Sequence, residues 1–102
     1  MATIGHFRKA GSGFEGSIIT LSVQHSAVRF VEASDQRGEN APNYWIYAGE
    51  AEVGAAWCKQ GQNGRHYLSC KIDDPSFVAP IYPQLFEGED GRFALSWTRS
   101  NR

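Results

Sequence analysis

Val53-Gly54-Ala55-Ala56-Trp57-Cys58-Lys59-Gln60-Gly61-Gln62-Asn63-Gly64-Arg65-His66-Tyr67-Leu68-Ser69-Cys70-Lys71-Ile72 carries the strongest fold signal in the chain. Asn63-Gly64 is a two-residue hairpin signal, because a type I′ turn needs φ > 0 at both central positions. With those two residues as the turn, Gln62 opposes Arg65, Trp57 faces Cys70 and Ala55 faces Ile72. Opposed residues share a face, so Val53, Ala55, Trp57, Leu68, Cys70 and Ile72 are expected on one aliphatic side. A second turn at Gly49-Glu50, of type II′, pairs Ile46 with Val53 and Tyr44 with Ala55. The opposite side then collects Trp45, Tyr47, Gly54, Ala56, Cys58, Gln60, Tyr67, Ser69 and Lys71. Trp45 lies across from Gly54 in this register, where the missing side chain leaves room for an indole. The two cysteines fall on opposite faces, which predicts two free thiols.

Outward from this hairpin the chain reads as strand after strand. Eleven Gly and four Pro cut it into short pieces, and helical periodicity is absent. Strands are expected near residues 3–8, 14–23, 27–33, 43–48, 51–60, 65–73, 81–86 and 92–99. The polar stretch Ser34-Asp35-Gln36-Arg37-Gly38-Glu39-Asn40 reads as a mobile loop. Asp74-Pro75-Ser76-Phe77 allows at most one short helical turn near 74–78, with Asp74 as cap and Pro75 at the first position. The fold class is all-β: one domain over residues 1–102, an antiparallel meander closing into a small barrel or sandwich.

Charge and composition narrow the function classes. Ten Lys and Arg face eleven Asp and Glu, a formal charge of −1, whereas a protein that grips nucleic acid mainly through phosphates carries a basic excess. Aromatic residues reach 13% in 102 residues, the one unusual figure. No apolar run approaches the roughly 20 residues of a membrane span, and Met1 to Lys9 has no apolar leader core. With only two cysteines the expectation is a cytoplasmic chain without a disulfide framework.

Several words of the sequence form a pattern: Ile4-Gly5 with Phe7, Gly13-Phe14 with Gly16, and Asn40-Ala41-Pro42-Asn43-Tyr44. Gly54-Ala55-Ala56-Trp57, Gly64-Arg65-His66-Tyr67-Leu68-Ser69 and Lys71-Ile72-Asp73-Asp74-Pro75-Ser76-Phe77 follow. Pro80-Ile81-Tyr82, Leu85-Phe86, and Leu95 with Trp97 and Arg99 complete it. Over essentially its whole length the chain resembles the DUF736 family of small bacterial proteins. That resemblance implies a passenger of conjugative plasmids and integrative elements in proteobacteria, with no assigned catalytic activity. The chain departs from the pattern at Trp45, where an Arg is expected after the Tyr, and at Pro83-Gln84, where Ala-Asn is expected. Cys58 and Cys70 also look like local substitutions.

Candidate chemistry is sparse. Asp73-Asp74 is an acidic pair, but adjacent strand residues point apart, and Asp before Pro is first a turn signal. Glu87, Glu89 and Asp90 lack the spacing of a calcium loop, and Asp90-Gly91 reads as a hairpin turn. His6, His25, His66 and the two cysteines have no metal-ligand spacing, so no metal or other cofactor is expected. The constellation of interest is Trp45, Tyr47, Tyr67 and Lys71, outward aromatics beside a cation. Arg8 and Lys9 early, with Arg92, Arg99 and Arg102 late, form a basic edge if the first and last strands are neighbours. A charge-blunted sheet edge accounts for them equally well.

The expected function is therefore binding without catalysis, through Trp45, Tyr47, Tyr67, Lys71, Arg92 and Arg99. The first reading is a protein partner, either transfer machinery of a mobile element or a host defence complex that the element blocks, in the manner of an anti-CRISPR protein. The alternative is single-stranded nucleic acid on an OB-like sheet, bases stacking on the aromatics. Near-neutral charge ranks the protein partner first, and no membrane is involved. Edge strands near either terminus could support a symmetric dimer. One question stays open at this stage: whether strands carrying Phe93, Leu95 and Trp97 fold over the aromatic face and make it a second core.

Overall fold

A computed structural model describes residues 2–21, 23–33, 40–62 and 64–99. Eight strands follow one another: β1 (Ala2–Ala10), β2 (Gly13–Ile19), β3 (Gln24–Glu32), β4 (Tyr44–Ala48), β5 (Ala51–Gln60), β6 (His66–Ile72), β7 (Gln84–Glu87) and β8 (Arg92–Trp97). Each pairs antiparallel with its chain neighbour, and β8 returns to β1, so the sheet is a closed barrel. The expected all-β meander is thus resolved in favour of a barrel. The predicted loop over residues 34–40 lies, up to residue 39, outside the described residues. Among those described, no helix is long and apolar enough to cross a membrane.

The single turn expected near 74–78 is present, and the detail that changes is the turn at Asp90-Gly91. Asp74 and Phe77 close a single turn, with Phe77 N–H donating to the Asp74 carbonyl at 2.8 Å. No helix forms there, because Pro80 follows closely and Ile81 is already bridged to Ile72. The one 3-10 turn among the described residues is instead Glu89–Gly91, where Asp90 (φ 59°) and Gly91 (φ 71°) occupy left-handed backbone. The second strand also ends earlier than expected. Thr20 N–H bonds the Val23 carbonyl at 2.7 Å and reverses the chain after Ile19.

The interior is packed with side chains. Phe7, Phe14, Val28, Phe30, Ile46, Leu68, Cys70, Ile72, Leu85 and Leu95 are all buried. Their rings meet edge-on: Phe7 and Phe30 at 5.1 Å between centroids, Phe14 and Phe93 at 4.8 Å, Phe14 and Phe30 at 6.0 Å. Edge-to-face contact sets the positive ring edge against a negative face, beyond the gain from buried area. Much of the aromatic excess is therefore barrel filling.

The register of β5 is one residue away from the expected one, for two reasons. At the β5–β6 end, Gly61 N–H donates to the Arg65 carbonyl at 2.7 Å and Gly64 N–H to the Gly61 carbonyl at 3.0 Å. Three residues, not two, thus lie between the closing pair, and Gly64 (φ 81°) takes the left-handed position that such loops require. Asn63, half of the predicted turn, lies outside the described residues. Trp57 consequently opposes Ser69, Ala55 opposes Lys71, and Ala56 opposes Cys70. At the other end the Gly49-Glu50 turn forms as expected, with Ala48 paired to Ala51 and Tyr47 to Glu52. Beyond it the register shifts, and Ile46 pairs with Gly54 in place of Val53. Val53 is the extra residue of a bulge, and its carbonyl is taken by Asp73 N–H at 2.7 Å.

A one-residue slip moves every side chain of a strand to the other face. Gly54, Ala56 and Cys58 therefore share the inward side with Leu68, Cys70 and Ile72, while Ala55 and Trp57 turn outward. The predicted assignment of these five residues is reversed. Gly54 makes no room for Trp45. A Cβ there would run into the backbone carbonyl of Lys71, so its hydrogen permits β5 and β6 to approach.

Ser76 donates from both its hydroxyl and its N–H to the Asp74 carboxylate. These bonds, the hydroxyl first, hold Asp74 below its ordinary value of 3.8. A depressed carboxylate adds stability above its unfolded pKa and loses it as pH falls through the folded value. Ser76→Ala should return Asp74 toward 3.8, read by NMR titration of the carboxyl carbon. Phe30→Ala should cost about 3–5 kcal/mol in urea unfolding, because it empties the centre of the ring cluster. Val78→Ala, at a fully exposed site, should stay within about 0.5 kcal/mol of the parent.

Candidate functional site

Closure answers the question of the aromatic face. Strand β8 does not lie over it; Leu95 points into the one core and is fully buried. The side chains of Trp45, Tyr47, Trp57, Tyr67 and Lys71 project from the outside of the barrel. Within this set each aromatic has a different freedom. Arg29 lies over the Tyr47 ring, 5.5 Å from its centroid, and is pinned there by a bond to the Gly49 carbonyl at 3.2 Å. Tyr67 stacks on Phe86, its Cα partner, with centroids 5.3 Å apart and 29° between planes. Trp57 is half-buried and donates its indole N–H to the Asn40 carbonyl at 2.9 Å. Among the described residues Trp45 has no such cover, and it is 37% exposed.

Trp45 sits in a row that crosses the strands. Its Cα partners are Val31 on β3, 38% exposed, and Ala55 on β5, which in turn pairs with Lys71 on β6. Small residues beside the indole leave a shallow depression of about 280 Å³, lined by Trp45, Glu52, Val53, Gly54, Ala55, Lys71 and Asp73. The depression exists because Ala55 faces outward, a consequence of the β5 register. The structure thus brings Trp45 and Lys71 together, leaves Tyr47 as a covered neighbour on β4, and sets Tyr67 on its own stack with Phe86.

The basic residues do not join this site. Arg8 and Arg92 are Cα partners across β1 and β8, so the terminal strands are indeed neighbours. Glu15 flanks Arg8 on its other side. Arg99 lies past the far end of β8, its guanidinium 5.1 Å from the Trp97 ring. Arg102 lies outside the described residues. The condition for a shared basic strip is therefore met by Arg8 and Arg92, while Arg99 lies apart from them. Because β1 and β8 bond one another, no sheet edge is free there for strand-to-strand pairing.

The acidic and nucleophilic candidates separate as well. Asp73 borders the Trp45 depression, while the Asp74 carboxylate is engaged by Ser76. Among the described residues, no three or more His, Cys, Asp or Glu groups come together in a way that could hold a metal. Both cysteines are free. They share the inward side of the barrel, contrary to expectation, but differ in depth: Cys70 is buried and Cys58 is exposed at the barrel end. Burial raises the Cys58 thiol and pushes Cys70 up to about 12.

Sequence reading missed Trp57 and Val31 as outward residues. The available signal was the pair of glycines, Gly61 and Gly64, bracketing the β5–β6 loop, which allows a three-residue as well as a two-residue turn.

A family described as "Protein of unknown function (DUF736)" matches residues 3–100. The chain belongs to the DUF736 family. No curated protein and no solved structure matches it. The family match spans all eight strands but Ala2.

Thiol accessibility tests this placement. One thiol per chain, Cys58, should react with a neutral-pH disulfide reagent in the native state and two after unfolding; Cys58→Ser should abolish the native reaction.

Proposed function

We propose that this DUF736 member is a non-catalytic binding protein of a mobile genetic element, and that a partner protein docks on the outward face centred on Trp45. The observation that carries the reading is the indole itself. Trp45 stands outside a barrel whose interior is already filled, paired with exposed Val31 above a shallow depression. Trp is the residue type most enriched among interface hot spots, since it supplies a large rigid contact at little entropic cost. An exposed aromatic-aliphatic pair outside a small filled barrel has no role in packing the core. The mobile-element setting rests on the family resemblance. There the partner is transfer machinery or a host defence complex, and the chain would act in the cytoplasm.

Two features favour protein over single-stranded nucleic acid. The depression carries two carboxylates, Glu52 and Asp73, against one cation, Lys71, which opposes phosphate. The outside of a closed barrel is also convex. Tyr47, Tyr67 and Trp57 on it are each engaged locally, by Arg29, Phe86 and Asn40, so successive bases would not find a row of free rings.

Capture from a proteobacterial lysate, with Trp45→Ala as comparison, tests the reading. A specific partner should be retained by the parent and lost about 30-fold or more by Trp45→Ala, with unfolding unchanged. Tight, salt-sensitive quenching of the tryptophans by a dT oligonucleotide would transfer the function to nucleic acid.

A further inference from the structure

Tyr82 is 63% exposed, although the residues on both sides of it are anchored. Ile81 and Ile72 exchange two backbone hydrogen bonds, each 2.9 Å, and the Pro83 carbonyl accepts from Cys70 N–H at 2.9 Å. The Pro83 side chain is fully buried. With Pro83 directed inward and its backbone held against β6, the extended chain directs the intervening Tyr82 ring outward. The aromatic surface is therefore fixed by its neighbours before any ligand arrives.

Beside the ring lies a depression of about 190 Å³ lined by Tyr82, Gln84, Ser96 and Thr98. Gln84 and Ser96 are Cα partners on β7 and β8, and the same row continues to Ser69 on β6 and Thr3 on β1. Every side chain lining the depression beyond the ring is a neutral amide or hydroxyl, able both to donate and to accept. Among the described residues no carboxylate, ammonium or guanidinium lines it. The Trp45 depression, with three charged residues, has the opposite character.

This lining selects a ligand by chemistry. An anion would find no cation among these side chains, and a purely apolar group would leave the amide and two hydroxyls without partners. A pyranose ring suits both halves. One face of the ring presents C–H groups that pack on an aromatic surface, while its hydroxyls each donate and accept. The depression is smaller than the roughly 300 Å³ at which pockets for drug-sized ligands begin, which restricts the occupant to a single ring. We propose that the Tyr82–Gln84–Ser96–Thr98 depression is a binding site for one neutral sugar residue, independent of the Trp45 face. Tyr82 stacks on the C–H face, and Gln84, Ser96 and Thr98 exchange hydrogen bonds with the hydroxyls.

The test is an NMR titration of the ¹⁵N-labelled full chain with methyl β-D-glucopyranoside, methyl α-D-galactopyranoside and N,N′-diacetylchitobiose. At least one should give saturating shifts at the Gln84 side-chain amide and the Ser96 and Thr98 backbone amides. A single shallow ring site corresponds to a Kd on the order of 1–10 mM. Tyr82→Phe should retain the shifts, and Tyr82→Ala should weaken binding at least tenfold while the buried Leu95 and Cys70 amides stay in place. Gln84→Leu, which keeps the ring and removes the amide, should weaken binding in the same way. The proposal is overturned if none of the three sugars gives saturating shifts, if the shifts persist in Tyr82→Ala, or if they centre on Trp45 or Trp57.

Discussion

The pairing of β1 with β8 is the constraint on which the rest of the structure depends. An open eight-stranded meander would leave two edges of unpaired N–H and C=O groups and two faces competing for burial. Hydrogen bonding from Ala2–Trp97 to Arg8–Arg92 removes both edges and gives the sheet one inside and one outside. The interior is narrow enough for side chains to fill, and the phenylalanines fill it with edge-on contacts. Once this space is occupied, every alternate residue must face solvent, whatever its hydrophobicity. Trp45 and Val31 are exposed for this reason.

Closure defines the two faces, but local backbone irregularities assign residues to them. Strand β5 shows this most directly. A bulge at Val53 and a three-residue loop before Arg65 each add one residue to a hairpin that would otherwise be regular. Together they present Ala55 and Trp57 to the outside and place Gly54 and Ala56 against the core. The Trp45 depression is built on that exchange, since its floor is the small Ala55 and its far wall is Lys71. Had Gly54 and Ala56 remained outward, Trp45 would have stood over a glycine and the backbone of β6 would have collided with a side chain.

The surface that results is chemically divided. Around Trp45 an indole, an aliphatic neighbour and three charged groups border a shallow depression. Around Tyr82 a fixed phenol ring borders neutral amides and hydroxyls. The remaining outward aromatics are engaged locally: Tyr47 under Arg29, Tyr67 against Phe86, and Trp57 bonded to Asn40. A bulk aromatic percentage therefore describes three populations, one in the core, one tied down on the surface, and one exposed.

Much of this was legible in the residues. Alternation along Tyr44–Ala48 and His66–Ile72 correctly separates inward Ile46, Leu68, Cys70 and Ile72 from outward Trp45, Tyr47, Tyr67 and Lys71, because within one regular strand the side-chain period is two. Gly49-Glu50 was recognisable because a two-residue turn needs a left-handed first position, which Gly49 supplies (φ 64°). Relating one strand to the next was harder, since turn length and bulges depend on how the strands pack. By itself the sequence determined an all-β meander, its eight strands and the faces within most of them. Only tertiary structure decided the closure, the β5 register and the exposure of Trp45, because closure pairs Ala2 with Trp97 from opposite ends of the chain, while the register turns on a bulge and a loop length that the residue pattern leaves open.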